Sequence, residues 1–244
     1  MEMERTTTTR FTAADSELPL KLDIVRRSPF ATLTGSSRAA VLDLARLERF
    51  PRHHRLTEQG ETPQTLFLLG SGRVKVERIT GERTFPLGHR GPGQLIGEGA
   101  CAGVPIAMES ASVVDDVEAV SLPLDAFLQL ISVDPQVRFA MTAALAQQFR
   151  ATEDRLASLL LQGVEARLVG FLLDAVQRWG KSHSGGETIT ASFTHADVAL
   201  LIGSTRETVT LLLGKLKRSG LIAFDRRRVI IPDRDALATH GASA

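Results

Sequence analysis

Cys101 is the single cysteine in a chain of 244 residues. An internal disulfide and a four-cysteine metal or iron–sulfur site are thereby excluded, and the usage fits a reducing cytoplasm. A lone cysteine of this kind reads as inert core rather than as a redox sensor. Long apolar runs are missing too: none approaches the roughly 18 residues that a membrane span needs. The N-terminal MEMERTTTTRFTAADSE has no apolar centre and so does not read as a secretory signal. Residues 1–19 read instead as a polar, flexible tail. Positive charge is absent from one long stretch. Between Gly91 and Val137 there is no Lys or Arg, against the carboxylates Glu98, Glu109, Asp115, Asp116, Glu118, Asp125 and Asp134. The formal net charge of +1 therefore hides an acidic middle and a basic C-terminal part.

The composition, 43% hydrophobic and 23% charged, is that of a globular chain long enough for two cores. Residues 36–50 carry Val41, Leu42, Leu44, Leu47 and Phe50 at helical spacing. From 51 to about 124 short β-prone runs alternate with glycine. Leu66–Leu69, Val74–Val76 and Ser112–Val114 are examples, a pattern of a sandwich or barrel rather than of alternating β and α units. Asp134-Pro135 opens a long helix reaching about Leu161. Within it Leu145, Phe149, Thr152, Leu156 and Leu159 alternate steps of four and three, a coiled-coil seam. The same spacing suits a helix packed on its own domain, and periodicity leaves both readings open. A second helix follows over about 164–179, and GKSHSGGET then reads as a loop. The segment after residue 231 reads as a short tail.

The most informative stretch is 193–221, which reads as two helices around a tight turn. Thr194 is placed to cap the first, with Asp197 at capping-box spacing. Ala199 is small where the helices cross, and Gly203 permits the turn. Ser204 is expected to cap the second helix, with Glu207 completing a Ser-x-x-Glu box. Val209, Leu212, Leu213 and Leu216 should face inward, leaving Arg206, Glu207, Thr210 and Leu211 on the outer face. An arginine that forks onto guanine and a glutamate that accepts from cytosine are base-reading chemistry. Beyond them, Leu221–Phe224 and Val229–Ile231 flank Asp225-Arg226-Arg227-Arg228, a basic-tipped hairpin. Thr194, Ser204, Thr205, Thr208, Lys215, Lys217, Arg218, Arg226, Arg227 and Arg228 are the candidates for contact with the DNA backbone. The bland alternative is a helical hairpin in a core with solvated charges. The basic wing beside a basic helix favours a winged helix-turn-helix that binds double-stranded DNA.

A glycine-rich β-roll, a long helix and a terminal winged helix-turn-helix, in that order, resemble the Crp/Fnr superfamily of bacterial transcription regulators. The matching points are Glu58–Glu61, Ser71–Val76, Gly93 with Gly97-Glu98, and Gly203–Val209, over about residues 22–235. The resemblance implies an α+β fold: an antiparallel, jelly-roll-like β-roll sensor over 20–134, a dimerisation helix over 135–162 and the DNA-binding domain over 163–244. It also implies a cytoplasmic homodimer that works with RNA polymerase. Arg206 and Glu207 carry over as base readers. Leu211 departs from the cAMP-responsive pattern, which has a second arginine there, and leucine can only pack on a thymine methyl.

The resemblance places an effector pocket at Gly97, Glu98, Gly99, Ala100 and Ser110, with Thr152 and Glu153 from the long helix. The phosphate-binding arginine of cAMP-responsive members should lie near Met108–Ser110, and the stretch without cations holds none. Binding of cAMP is therefore not expected, and no cofactor is required. A cyclic dinucleotide or a haem-bound gas stays open as an alternative signal, with His53, His54 and His89 the candidate haem ligands. His183 and His195 have no metal constellation around them. An enzyme is disfavoured, since no phosphate-loop or nucleophile signature is present, and a scaffold that has lost DNA binding is the other class considered. An unbiased binding selection should return half-sites that share a G·C pair, with altered preference at the base pair near Leu211. Recovery of sites with no G·C requirement would contradict the assignment of Arg206 and Glu207.

Overall fold

The computed structural model describes residues 13–183, 185–226 and 228–243. Helices α1 (Ala13–Arg26) and α2 (Gly35–Leu44), separated by a 3-10 turn at Pro29–Thr32, precede the first sheet strands. Strands β1 (Arg46–Phe50), β2 (Arg55–Thr57), β3 (Thr65–Leu69), β4 (Arg73–Thr80), β5 (Arg83–Arg90), β6 (Leu95–Ile96), β7 (Ser110–Asp115) and β8 (Val117–Pro123) follow. They form two antiparallel four-stranded sheets, in the orders β1-β8-β3-β6 and β2-β7-β4-β5. Helices α3 (Leu124–Val133) and α4 (Pro135–Leu161) then cover the first sheet, and a 3-10 turn at Glu98–Ala102 lies between β6 and β7.

Strand β3 shows how the layers are built. Its side chains alternate between faces: Phe67 and Leu69 join Val74, Val76, Ile96, Ala111 and Val113 between the sheets. Leu66 and Leu68 point the other way, into a second core with Ile24, Phe30, Val41, Phe127, Val137 and Met141 from the helices. A strand buried on both faces needs an unbroken apolar run, and Leu66-Phe67-Leu68-Leu69 is one. Phe30 and Phe127 meet edge to face at 5.7 Å between ring centres.

The C-terminal part has its own core. Helix α5 (Val164–Trp179) runs into strand β9 (Gly180–His183), and β10 (Gly186–Ile189) pairs back on it. Helices α6 (His195–Leu201) and α7 (Arg206–Arg218) precede β11 (Ala223–Asp225), β12 (Arg228–Ile231) and α8 (Arg234–Ala242). The four strands form one sheet, β11-β12-β10-β9. Leu168, Leu172, Val176, Val198, Val209, Leu213, Leu216 and Leu237 close the core.

Four local expectations need correction. Helix α1 starts at Ala13, so residues 13–19 are not tail; residues 1–12 of that tail lie outside the described residues. The helical spacing at 36–50 breaks at Ala45, and Leu47 and Phe50 lie on β1, held by pairing with β8 across Arg46↔Ser121 to Phe50↔Val117. Within GKSHSGGET, Gly180–His183 and the residues from Gly186 onward form β9 and β10 rather than a loop, because β10 also finds a partner in β12. The supposed short tail is α8, which buries Leu237 against α5.

Phe127→Ala should lower unfolding stability by about 3–5 kcal/mol, since it removes a ring from a closed core. Phe139→Ala, at a site 74% exposed, should stay within about 0.5 kcal/mol of the parent. Urea unfolding of the two variants checks both.

Candidate nucleic-acid interface and sensor pocket

Thr194 caps α6: its hydroxyl accepts from the Asp197 N–H at 3.1 Å, and the Asp197 carboxylate accepts from the Thr194 N–H at 3.1 Å. The turn passes through Gly203, whose φ of +62° is left-handed and suits glycine. The Ser204 N–H then donates to the Ala199 carbonyl at 2.8 Å, which fixes the angle between the helices. The cap of α7 is one residue later than the sequence suggests. Thr205, not Ser204, accepts from the Thr208 N–H at 3.2 Å, so the Ser-x-x-Glu box with Glu207 does not form. Its hydroxyl also lies 3.0 Å from that of Thr208.

This frame buries Val209, Leu213 and Leu216 and exposes Arg206, Glu207, Thr210 and Leu211, the last 73% exposed. Thr210 is less free than its exposure implies. Its hydroxyl donates to the Arg206 carbonyl at 2.9 Å and lies 2.8 Å from His195 Nδ1, a cross-brace between the two helices. Lys215 is committed elsewhere: its ammonium sits 2.6 Å from Glu165, which also meets His240 at 2.8 Å. Hydrogen bonds from Lys215 and His240 hold the Glu165 carboxyl below its ordinary range. Lys217 lies over the Phe224 ring, 5.9 Å from its centre, and with Arg218 remains exposed. Arg226 and Arg228 are exposed on the wing, Arg226 with a φ of +53°, while Arg227 lies outside the described residues.

In the β-roll, Gly97 adopts a φ of +91° and starts the turn Glu98–Ala102. The adjoining cavity of about 200 Å3 is lined by Gly97, Glu98, Gly99 and Ala100, and also by Arg78, Arg90 and Glu109. Cations nonetheless reach this place, although residues 91–137 supply none. The cations come from strands β4 and β5, outside the cation-free stretch. Arg78 Nε donates to the Met108 carbonyl at 3.1 Å, and its terminal nitrogen lies 3.4 Å from the Glu109 carboxylate. Burial raises the Glu98 pKa, opposed by the nearby charge of Arg90.

Three expected pocket residues lie elsewhere. Ser110 is buried, accepts from the Gln59 N–H at 3.0 Å and donates to Glu58 at 3.4 Å. Thr152 and Glu153 are exposed on α4, and the Thr152 hydroxyl donates to the Gln148 carbonyl. Of the coiled-coil seam, Leu145 packs on the roll core, whereas Phe149, Thr152, Leu156 and Leu159 stand exposed. Cys101 packs on the same core, and burial pushes its thiol up to about 11.

The domains meet at Phe193, just before α6. The Arg73 guanidinium lies 4.3 Å from the centre of the Phe193 ring, and His89, Phe171 and Trp179 meet it edge to face at 5.1–5.6 Å. Arg73 is 3% exposed and held by Asp115 at 3.0 Å. Arg178 donates to Gln94 at 2.8 Å, and Trp179 Nε1 to the Gly72 carbonyl at 3.4 Å. Arg155 bonds the Leu87 carbonyl on one side and the Leu201 carbonyl on the other. Of the histidines weighed for haem, His54 stacks on Phe50 while His89 faces Phe193. Among the described residues no group of three or more His, Cys, Asp or Glu is placed to hold a metal ion, and no helix is long and apolar enough to cross a membrane.

Residues 47–134 match the cyclic nucleotide-binding domain, and residues 166–239 match the Crp-like helix-turn-helix domain. A CRP-like cAMP-activated global transcriptional regulator of Mycobacterium tuberculosis is 30% identical over 216 residues, 88% of this chain and 96% of that one. The chain belongs to the Crp/Fnr superfamily of transcription regulators. The transcriptional regulator LdrP of Thermus thermophilus is also 30% identical, over 81% of this chain and 98% of that one. The crystal structure of TTHB099, a CRP-family regulator from Thermus thermophilus, superposes with a TM-score of 0.67 at 29% identity, covering 81% and 97% of the two chains.

Sequence patterning missed Arg78, Arg90, His195 and Phe193. For Arg78 a signal existed: it continues the two-residue period of the inward-facing Val74 and Val76, and a charge in that register marks a pocket wall. Arg90 pairs across from Val74, which the sequence alone does not show.

His89 carries a pH signature of the Crp/Fnr domain junction. Burial first, and then the charge of Arg73, lower its pKa from 6.5 to about 4. Its Nδ1 is buried without a hydrogen-bond partner among the described residues. As pH falls below 6.5, the unfolded chain takes up this proton before the folded one does, so stability should drop between pH 6.5 and about 4. Above pH 6.5 the residue should contribute no slope. His89→Phe keeps a ring against Phe193 and should flatten that part of the curve. An unchanged slope would show that other groups set it.

Proposed function

We propose that this Crp/Fnr regulator binds a roughly palindromic promoter site as a homodimer, without cAMP. The base-reading face carries the first half of the proposal. Arg206, Glu207 and Leu211 stand exposed on a helix whose other side is locked into the core. A two-fold pair of such helices wants half-sites about one helical turn apart. Thr194, Thr205, Thr208, Lys217, Arg218, Arg226 and Arg228 supply backbone contacts, and Lys215 joins them only by releasing Glu165.

The homodimer reading rests on α4. Phe149, Leu156, Leu160 and Leu161 are 57–84% exposed on one helix, and an apolar run of this kind marks an interaction site. The partner is a second copy, and RNA polymerase is the further partner of the assembled regulator. The cytoplasm is the compartment in which it works.

The cAMP-free reading rests on one pairing. Arg78 already faces Glu109, and Glu98 stands near Arg90, so two cations meet two carboxylates in one small cavity. An entering phosphate must separate Arg78 from Glu109 or lie beside an uncompensated carboxylate. A charge-assisted hydrogen bond worth about 1.5–3 kcal/mol is thereby offset. Arg90 favours a second reading, response to another signal such as a cyclic dinucleotide, because its guanidinium makes no hydrogen bond or ion pair with any described residue.

Replacing Phe149 and Leu156 together by Asp should convert the dimer to a monomer in sedimentation and weaken operator binding in parallel; a dimer that persists would refute the α4 interface. Calorimetric titration with cAMP should give no heat for the wild type, whereas Glu109→Arg should give a measurable isotherm. Saturable heat with the wild type would overturn the cAMP-free reading.

A further inference from the structure

A second cavity, about 380 Å3, lies at the domain junction, walled by β5, α4, α5 and the end of α6. Its volume falls in the range of small-molecule sites. Phe171, Trp179 and Phe193 form one side, and Arg90 separates it from the sensor pocket, since that residue lines both cavities.

The charge on the walls is unequal. Arg90, Arg155 and Arg167 face Asp154 and Asp174. Asp174 is already paired with Arg178 at 2.8 Å. Arg155 and Arg167 satisfy backbone carbonyls, those of Leu201 and Ile202 among them. Arg90 alone of the three has no hydrogen bond or ion pair to any described residue. A half-buried guanidinium without a hydrogen bond still has donors to offer; burial holds its pKa below the usual value, opposed by the nearby charge of Glu98 on the sensor-pocket side.

Gly170 lies on the wall in mid-helix, and a Cβ added there would meet nothing within 4 Å. A side chain at that position would enter the cavity.

We infer that this junction cavity is a binding site for a small planar aromatic anion, the ring against Phe171, Trp179 and Phe193 and the anionic group on Arg90. It is distinct from the sensor pocket but shares Arg90 with it, so an anion held by that residue in one cavity competes with one in the other. Because the walls come from both domains, a bound molecule couples to their relative position wherever it prefers one arrangement over another.

The chain supplies its own reporter. Trp179 is its single tryptophan and there is no tyrosine, so emission on selective excitation comes from the cavity wall alone. The full-length protein is titrated with anilinonaphthalene sulfonate and with N-phenylnaphthylamine, the same skeleton without the sulfonate. Trp179 emission should be quenched saturably by both, with the sulfonate bound about tenfold or more tightly. Arg90→Leu should remove that preference. Gly170→Leu, a better helix former than glycine, should weaken both probes about tenfold or more while the melting temperature holds. Displacement of the probe by naphthoate but not by AMP assigns an aryl acid, and displacement by AMP assigns a nucleotide. Equal affinity for the two probes in the wild type, or undiminished quenching in Gly170→Leu, would overturn the proposal.

Discussion

The position of the helix-turn-helix depends on the seat of Phe193. One aromatic ring, immediately before the first reading helix, is enclosed by a buried guanidinium, a neutral imidazole and two rings of its own domain. A cation over a ring is worth more when desolvated, on the order of 2 kcal/mol, and Arg73 is almost fully buried. Trp179 and Arg178, at the end of α5, then tie the same junction to Gly72 and Gln94. Close approach is part of the design: a Cβ at Gly91 would lie 3.0 Å from the Trp179 ring.

Strand β5 connects this seat to the sensor pocket. Neighbouring residues of this strand serve both: His89 meets Phe193 and lines the junction cavity, and Arg90 lines the junction cavity and the sensor pocket. The strand that walls the candidate pocket is thus the strand on which the helix-turn-helix domain rests. The pocket is balanced rather than empty of charge, with Arg78 and Arg90 against Glu98 and Glu109.

Much of this was legible in the residues. The Gly203 turn, the Thr194 cap, the inward leucines of α7 and the unbroken apolar run of β3 are local patterns, and local patterns survive folding. The α7 cap slipped from Ser204 to Thr205 because both hydroxyls have the right chemistry and only the turn geometry separates them. Leu47 and Phe50 carried helical spacing yet joined a strand, because pairing with β8 is a long-range event. The cations of the pocket were hidden for the same reason. Arg78 and Arg90 lie well before Glu109 in sequence, and only the β4–β5 pairing and the closure of the roll bring them to it. Thr152 and Glu153 were placed by resemblance, and no contact within one chain draws them in.

Salt dependence decides whether this chain reads DNA through phosphate neutralisation around a base-specific helix without added nucleotide. The most direct measurement is the affinity for a selected operator and for a scrambled duplex across a range of salt concentrations. Binding should be tighter to the operator, with log K falling steeply and linearly as log salt rises for both. Equal affinity for the two duplexes, or binding that ignores salt, would contradict it.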